Sequence, residues 1–296
     1  MYRLTKVCCP HIPNPDLMSP SGYLPAGLLL ASMLAAPGLA AANRSDPWAD
    51  ARNLNFTAAG AGIAPLHQAA PDDARLAVAY AAALLARQPR TEANIIEARA
   101  LLERTAQFTP TAPSPADTDQ RILAAYLVAR IDHDHFENPR LDIARSGYEA
   151  LRVAHPGHPL ADQAALQLGY MLAYQTAGLS PADTIAPVEA LLASVHSENA
   201  RRELHLLLAR IQVRTLHNDA AALAHFQAAR AIGCQATNRD NELDLTIGML
   251  AARLGQGDLA ARHYLAFAKA NPQEVRTQTV RRLAAEALAA SGSSTK

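Results

Sequence analysis

Between Asp72 and Ala289, apolar residues recur at three- and four-residue steps, and the runs break every 12 to 18 residues. An α-helix turns every 3.6 residues, so this spacing predicts a succession of amphipathic helices, each burying one stripe. Superimposing the runs exposes a second regularity. One helix of each pair carries a small residue, an apolar one four positions on, and an apolar or small one three further. The instances are Ala98-Leu102-Thr105, Ala144-Tyr148-Leu151, Ala186-Ala190-Ala193, Ala222-Phe226-Ala229 and Ala260-Tyr264-Phe267. Offsets of four and seven put all three residues on one face. The steps between the leading alanines are 46, 42, 36 and 38 residues. Pro110, Pro156 and Pro272 each follow their alanine by 12 positions, where a proline stops a helix. The preceding helix of each pair ends its apolar face on a small residue: Leu85-Ala86, Val128-Ala129, Leu168-Gly169, Leu208-Ala209 and Ile247-Gly248. Residues 72–289 are therefore expected to be all-α, in about five stacked helix-turn-helix units. A last helix, Val275–Ala289, carrying Arg276, Arg281, Arg282 and Glu286 on a wet face, acts as a cap, and residues 290–296 form a disordered tail.

Residues 1–42 follow another pattern. The apolar stretch Ala26–Ala36 is shorter than the roughly 20 residues needed to span a bilayer. Pro37-Gly38 interrupts it and small residues follow, which is the form of a secretory signal cleaved after Ala40 or Ala42. Arg3 and Lys6 lie well upstream, and Met18 offers an alternative start. Export is expected, with an uncleaved N-terminal segment as the sole route to a membrane. Residues 43–71 are rich in Ala, Gly, Asn and Pro, contain Trp48, show no sustained period, and read as a linker or loosely ordered leader.

The helix-turn-helix units resemble the tetratricopeptide repeat (TPR). In the last unit Ile247-Gly248, Ala260, Tyr264 and Pro272 fall at the family's consensus spacing, with Gly255–Asp258 at its inter-helix turn. The segment Tyr148–Tyr174 is similar to a junction found in bacterial envelope repeat proteins, namely the accessory lipoproteins of outer-membrane assembly and the cell-division coordinators. The pattern departs from the family in lacking a Trp at the start of any unit, in Phe267 where Ala is usual, and in insertions at Asp132–Pro139 and Thr176–Ala182. The resemblance implies a right-handed α-solenoid, a non-enzymatic scaffold role, and a periplasmic setting. It further implies that the first helix of each pair lines a concave surface. The positions that would face that groove are Arg87, Tyr126, Arg130, His133, Tyr170, Tyr174, Arg210, Arg214, Met249 and Arg253. Arg offers a planar fork to carboxylates, and Tyr offers contact area at small entropic cost. The expected occupant is a protein or peptide segment bearing acidic groups or a free chain terminus. The alternative is that these arginines pair with carboxylates of neighbouring helices, such as Glu203 and Asp244.

Composition narrows the classes. Basic and acidic residues number 27 each, which argues against a nucleic-acid binder acting through bulk charge. Aromatic residues are only 5% of the chain, and Ala and Leu abound, so a large sheet is not expected. Cleavage would remove Cys8 and Cys9 and leave Cys234 alone, with no intrachain disulfide to form.

Chemistry-bearing motifs are scarce. No G-x-G-x-x-G, Walker loop, H-E-x-x-H, C-x-x-C or G-x-S-x-G occurs, so neither a cofactor nor catalysis is expected. The densest cluster of ligand-type side chains is Asp132-His133-Asp134-His135-Phe136-Glu137, placed in an expected inter-helix loop. His133 and His135 are its secondary metal candidates; the other reading is a solvated, capping turn. His155 and His158 flank Pro156 at another junction and are read as surface or capping residues. Glu103-Arg104 and Arg201-Arg202-Glu203 are read as solvated helix faces. Besides the scaffold, a metal-binding helical protein, a structural oligomer subunit and a glycan-cleaving helical enzyme remain open, although no motif places the paired carboxylates the enzyme would need.

Overall fold

A computed structural model of the chain describes residues 46–108, 114–233 and 237–293. The expected signal segment, Cys8, Cys9, Pro110 and Cys234 lie outside the described residues. Among the described residues all regular structure is helical, in thirteen helices. They are α1 (Pro47–Arg52), α2 (Phe56–Ala69), α3 (Ala74–Ala86), α4 (Glu92–Gln107), α5 (Pro115–Asp134), α6 (Leu141–Ala154), α7 (Pro159–Tyr174), α8 (Ile185–Ser194), α9 (Glu198–Arg214), α10 (Asp219–Ile232), α11 (Thr237–Arg253), α12 (Gly257–Ala270) and α13 (Thr277–Ser293). The chain divides into two compact units, Met1–Leu101 and Leu102–Lys296, with the boundary inside α4.

In the first unit, the stretch without a sequence period carries α1 and α2. Asp46 caps α1 by accepting from the Trp48 amide at 3.0 Å, and Pro47 occupies the first turn, where its missing N–H costs nothing. Ala51, Ala59, Ile63 and Ala79 form a small core flanked by Trp48, Phe56 and Tyr80. The two helices escaped the periodicity because their buried side is mostly alanine, whose contrast with its neighbours is low. The Tyr80 hydroxyl donates to Glu97 at 3.1 Å and ties α3 to α4.

The second unit is a stack of helical hairpins. Each helix from α5 to α13 packs on the next in sequence, and the first helices of successive pairs also touch, α5 on α7 and α7 on α9. Neighbour-on-neighbour contact is how such a stack buries a continuous core from hairpins too small to fold alone. Small residues set the approach distances. A Cβ added at Gly248 would stand 2.7 Å from the Tyr264 ring, and one at Gly169 would stand 2.8 Å from a Leu204 methyl. At Gly248 the neighbour is a rigid ring, and at Gly169 it is the end of a flexible leucine side chain.

The repeat register holds in four of the five instances. Ala98, Leu102, Ala144, Tyr148, Leu151, Ala222, Phe226, Ala229, Ala260, Tyr264 and Phe267 are all buried. The third instance is corrected. Ala186, Ala190 and Ala193 are exposed, and the buried triplet is Thr184-Val188-Leu191, two positions earlier. Thr184 takes the place of the small residue, so a search for alanine slid onto the solvent face of α8. With Thr184 in register, the steps from Ala144 to Thr184 and on to Ala222 become 40 and 38 residues.

Polar caps fix the junctions. Ser114 and Asp117 form a reciprocal capping box at the start of α5. The His158 Nδ1 accepts from the Leu160 amide at 3.1 Å and starts α7. Asp162, on α7 and buried, accepts from the backbone amides of His196 and Ser197, the latter at 2.6 Å, so one hairpin caps the first helix of the next. The last helix starts at Thr277 rather than Val275 and runs through Ser293, past the Ala289 end expected from the sequence.

Candidate partner-binding surface

The residues expected to line a groove do not share one environment. On α5, Tyr126 is 3% exposed, its ring 5.8 Å from that of Tyr148. Burial raises its hydroxyl pKa above the usual phenol range, against the lowering effect of Arg130. Tyr126 is therefore corrected from groove lining to core. Its position beside the small Ala129 that admits α6 also turns it inward. Arg130, one turn on, reaches Asp134 with Nε 3.5 Å from Oδ2. His133, expected on the same face, is buried as well; its Nε2 lies 2.7 Å from the Gln175 side-chain oxygen.

On α7, Tyr170 and Tyr174 stack with centroids 6.4 Å apart and planes at 20°. Tyr174 is 61% exposed and Tyr170 is half-buried. Burial raises the Tyr170 hydroxyl pKa first, Glu203 raises it further, and a hydrogen bond with Arg210 on α9 pulls the other way. Two stacked phenols and a guanidinium thus come together across α7 and α9. Arg214 stands exposed in the last turn of α9, and no salt bridge is formed by it among the described residues. On α11, Met249 is 38% exposed, and Arg253 is engaged by Asp219, with NH2 2.5 Å from Oδ1. Arg87 belongs to the first unit, exposed at the C-terminal cap of α3.

Glu203 and Asp244, named as alternative partners of these arginines, hold other cations. Arg202 is 3% exposed and donates to Glu203 at 2.9 Å and to Asp240 at 3.2 Å. Arg230 reaches Asp244 through Nε and NH2, each at 3.0 Å, and His263 Nδ1 lies 2.9 Å from the same carboxylate. Asp244 has its pKa lowered: burial works to raise it, and the bonds from His263 and Arg230 overcome that. This corrects the reading of Arg201-Arg202-Glu203 as a solvated face; only Arg201 is exposed. Sequence reasoning missed the network because its members stand 38, 14 and 19 residues apart, on four helices. A local pattern of charges reports nothing about such a junction.

The Asp132–Glu137 cluster also differs from expectation. Asp132 to Asp134 are the last turn of α5, not a loop. Asp132 is fully buried, with the Arg140 guanidinium 3.6 Å from its carboxylate, and Arg140 lies 3.8 Å over the Phe136 ring. These contacts lock the α5–α6 junction. Successive residues of a helix turn point 100° apart, so His133 and His135 do not converge. Among the described residues, no group of three His, Cys, Asp or Glu side chains converges on a point.

The second unit also has an open cleft of about 560 Å³ between α8 and α9, lined by Glu189, Leu192, Ala193, Val195, His196, Arg201 and His205. Within the described residues no helix is long and apolar enough to cross a membrane.

No protein-family model matches the chain, and no curated protein does. A solved structure of the P58(IPK) TPR domain is similar to it over 80% of the chain at 15% identity, with a TM-score of 0.31. The chain spans 61% of that structure's length.

Proposed function

We propose that the protein is a non-enzymatic interaction scaffold, whose α7–α9 surface receives a protein segment bearing acidic groups or a free chain terminus. The observation that carries this reading is the meeting of the Tyr170–Tyr174 stack with Arg210, one turn before the exposed Arg214. Helices hold these groups in place before any partner arrives, so little ordering entropy is lost on binding. Stacked phenols present flat apolar area, and a guanidinium that forms no salt bridge among the described residues keeps donors for a carboxylate. Arg130, Arg253 and Arg87 add charge at the margins of the proposed surface or elsewhere on the chain, and the first two already hold carboxylates of their own. The proposed setting is the bacterial periplasm, near envelope assembly, supported by the Leu24–Ala42 segment and the resemblance of Tyr148–Tyr174 to envelope repeat proteins.

The test is charge reversal. The double variant Arg210→Glu and Arg214→Glu is expected to weaken capture of a partner from envelope extract by about tenfold or more, with helix content and thermal midpoint close to those of the parent. Capture at parental strength by a folded double variant would remove this surface from consideration.

A further inference from the structure

His205 on α9 and His225 on α10 face each other across one helical hairpin. Their Nδ1 atoms are 3.1 Å apart, their ring centroids 5.4 Å apart and their planes at 43°. Two ring nitrogens meet at this distance through a proton that one Nδ1 carries and the other accepts. The contact therefore has a fixed proton capacity. With both rings neutral, the bond forms. A first added proton goes to the bare Nε2 of the donor ring, which keeps the same bond and makes it charge-assisted. A second must go to the accepting Nδ1, because the Nε2 of that neutral ring already carries its proton. Two N–H groups then point at each other between two cations, and the bond is gone.

We propose that His205 and His225 form a proton-operated latch on the α9–α10 hairpin, which stays shut through the first added proton and opens on the second. Three observations support it. The rings stand in the middle of two packed helices, so the hairpin and not a loop sets their separation. His205 also lines the open cleft between α8 and α9, so a displaced ring has solvent to turn into. The surrounding charges set the order of the two steps. Burial is the first cause that keeps both imidazoles below the usual histidine range. Beyond burial, Glu189 on α8 favours charge on His225, whereas a charged His225 and then Arg201 disfavour it on His205. His225 thus takes the first proton and donates, and His205 accepts until the second arrives. The other charged groups of the packed helices are engaged elsewhere. Asp162 of α7 accepts from the amides of His196 and Ser197, Glu203 of α9 meets Arg202, and Asp240 and Asp244 of α11 meet Arg202, Arg230 and His263. His196 shares the cleft, but its side chain is 69% exposed and screened by solvent. In the opened hairpin both imidazoles return towards 6.5, so the open form binds protons more tightly and acid favours it. The latch involves no partner and is independent of the Tyr170–Arg210 surface.

The experiment is amide hydrogen exchange on the full chain at about pH 5 and about pH 7.5, with each rate divided by that of an unstructured chain at the same pH. On acidification, the amides of α9 and α10 are expected to open about tenfold more often relative to those of α12 and α13. In the double variant His205→Gln and His225→Gln, whose amides hydrogen-bond without titrating, that relative change is expected to vanish. No relative change in the unaltered chain, or one that survives in the double variant, overturns the latch. Should the variant lose its fold, ring ¹⁵N resonances of the unaltered chain decide the matter. One protonated and one bare Nδ1 at neutral pH, followed by two separated titration steps, support the latch. Two rings that titrate together and independently overturn it.

Discussion

Arg202 shows how much one side chain carries in a stacked helical protein. It is buried on α9 and tied to Glu203 and Asp240, so it joins one hairpin to the next. Truncating it takes the guanidinium at 2.9 Å away from the buried Glu203 and leaves Asp240 with Arg230 at 3.8 Å. Arg202→Ala is expected to cost about 3–5 kcal/mol of unfolding free energy in urea denaturation. Its exposed neighbour in Arg201→Ala should stay within about 0.5 kcal/mol of the parent. Equal losses for the two variants would show that burial of the guanidinium does not govern stability. The contrast also separates charge that builds the stack, as at Arg202 and Arg230, from Arg214, which forms no salt bridge among the described residues and is the charge proposed to meet a partner.

For the helices as elements, the decisive quantity is distance of approach. Gly248 lies against the ring of Tyr264, which is itself buried, so an added methyl has nowhere to move. Gly248→Ala is expected to destabilise by about 1–3 kcal/mol, because overpacking outweighs the gain in helix propensity. Gly169→Ala meets mainly leucine methyls, which can rotate, and should cost less. Thermal unfolding of the two variants side by side checks the order. The same reasoning explains the slip at α8. A sequence repeat defined by alanine finds small residues wherever they stand, and only packing shows that Thr184 rather than Ala186 faces inward.

Acidity acts on the molecule as a whole through a few buried groups. His205 and His225 have folded-state pKa values lowered from 6.5, so below that value the unfolded chain binds protons that the folded chain refuses. Their contribution is intact above the unfolded pKa and stability falls as pH drops below about 6.5 towards the folded values. The groups facing them are each other, Arg201 and Glu189. In metal-free buffer, the urea midpoint is expected to decline over that window, and His225→Gln should flatten the decline. Asp244 acts lower down. Its folded pKa is depressed from 3.8, so its contribution is present above that value and is lost as pH falls through the folded one.

The sequence by itself determined the all-α class, the hairpin period, four of the five repeat registers and the helix stops at Pro156 and Pro272. These are local properties: a helix's face and its ends are written within a few turns of chain. It left α1 and α2 unseen, because alanine faces carry little contrast. Tertiary structure alone decided that Tyr126 and His133 are core, that Tyr170, Tyr174 and Arg210 meet, and that Arg202, Asp240, Arg230, Asp244 and His263 form one network. It also brought His205 and His225 within 3.1 Å of each other from 20 positions apart. Each of those outcomes depends on how one helix is rotated against its neighbour. That rotation is set by the packing of many small residues at once, and no single stretch of sequence contains it.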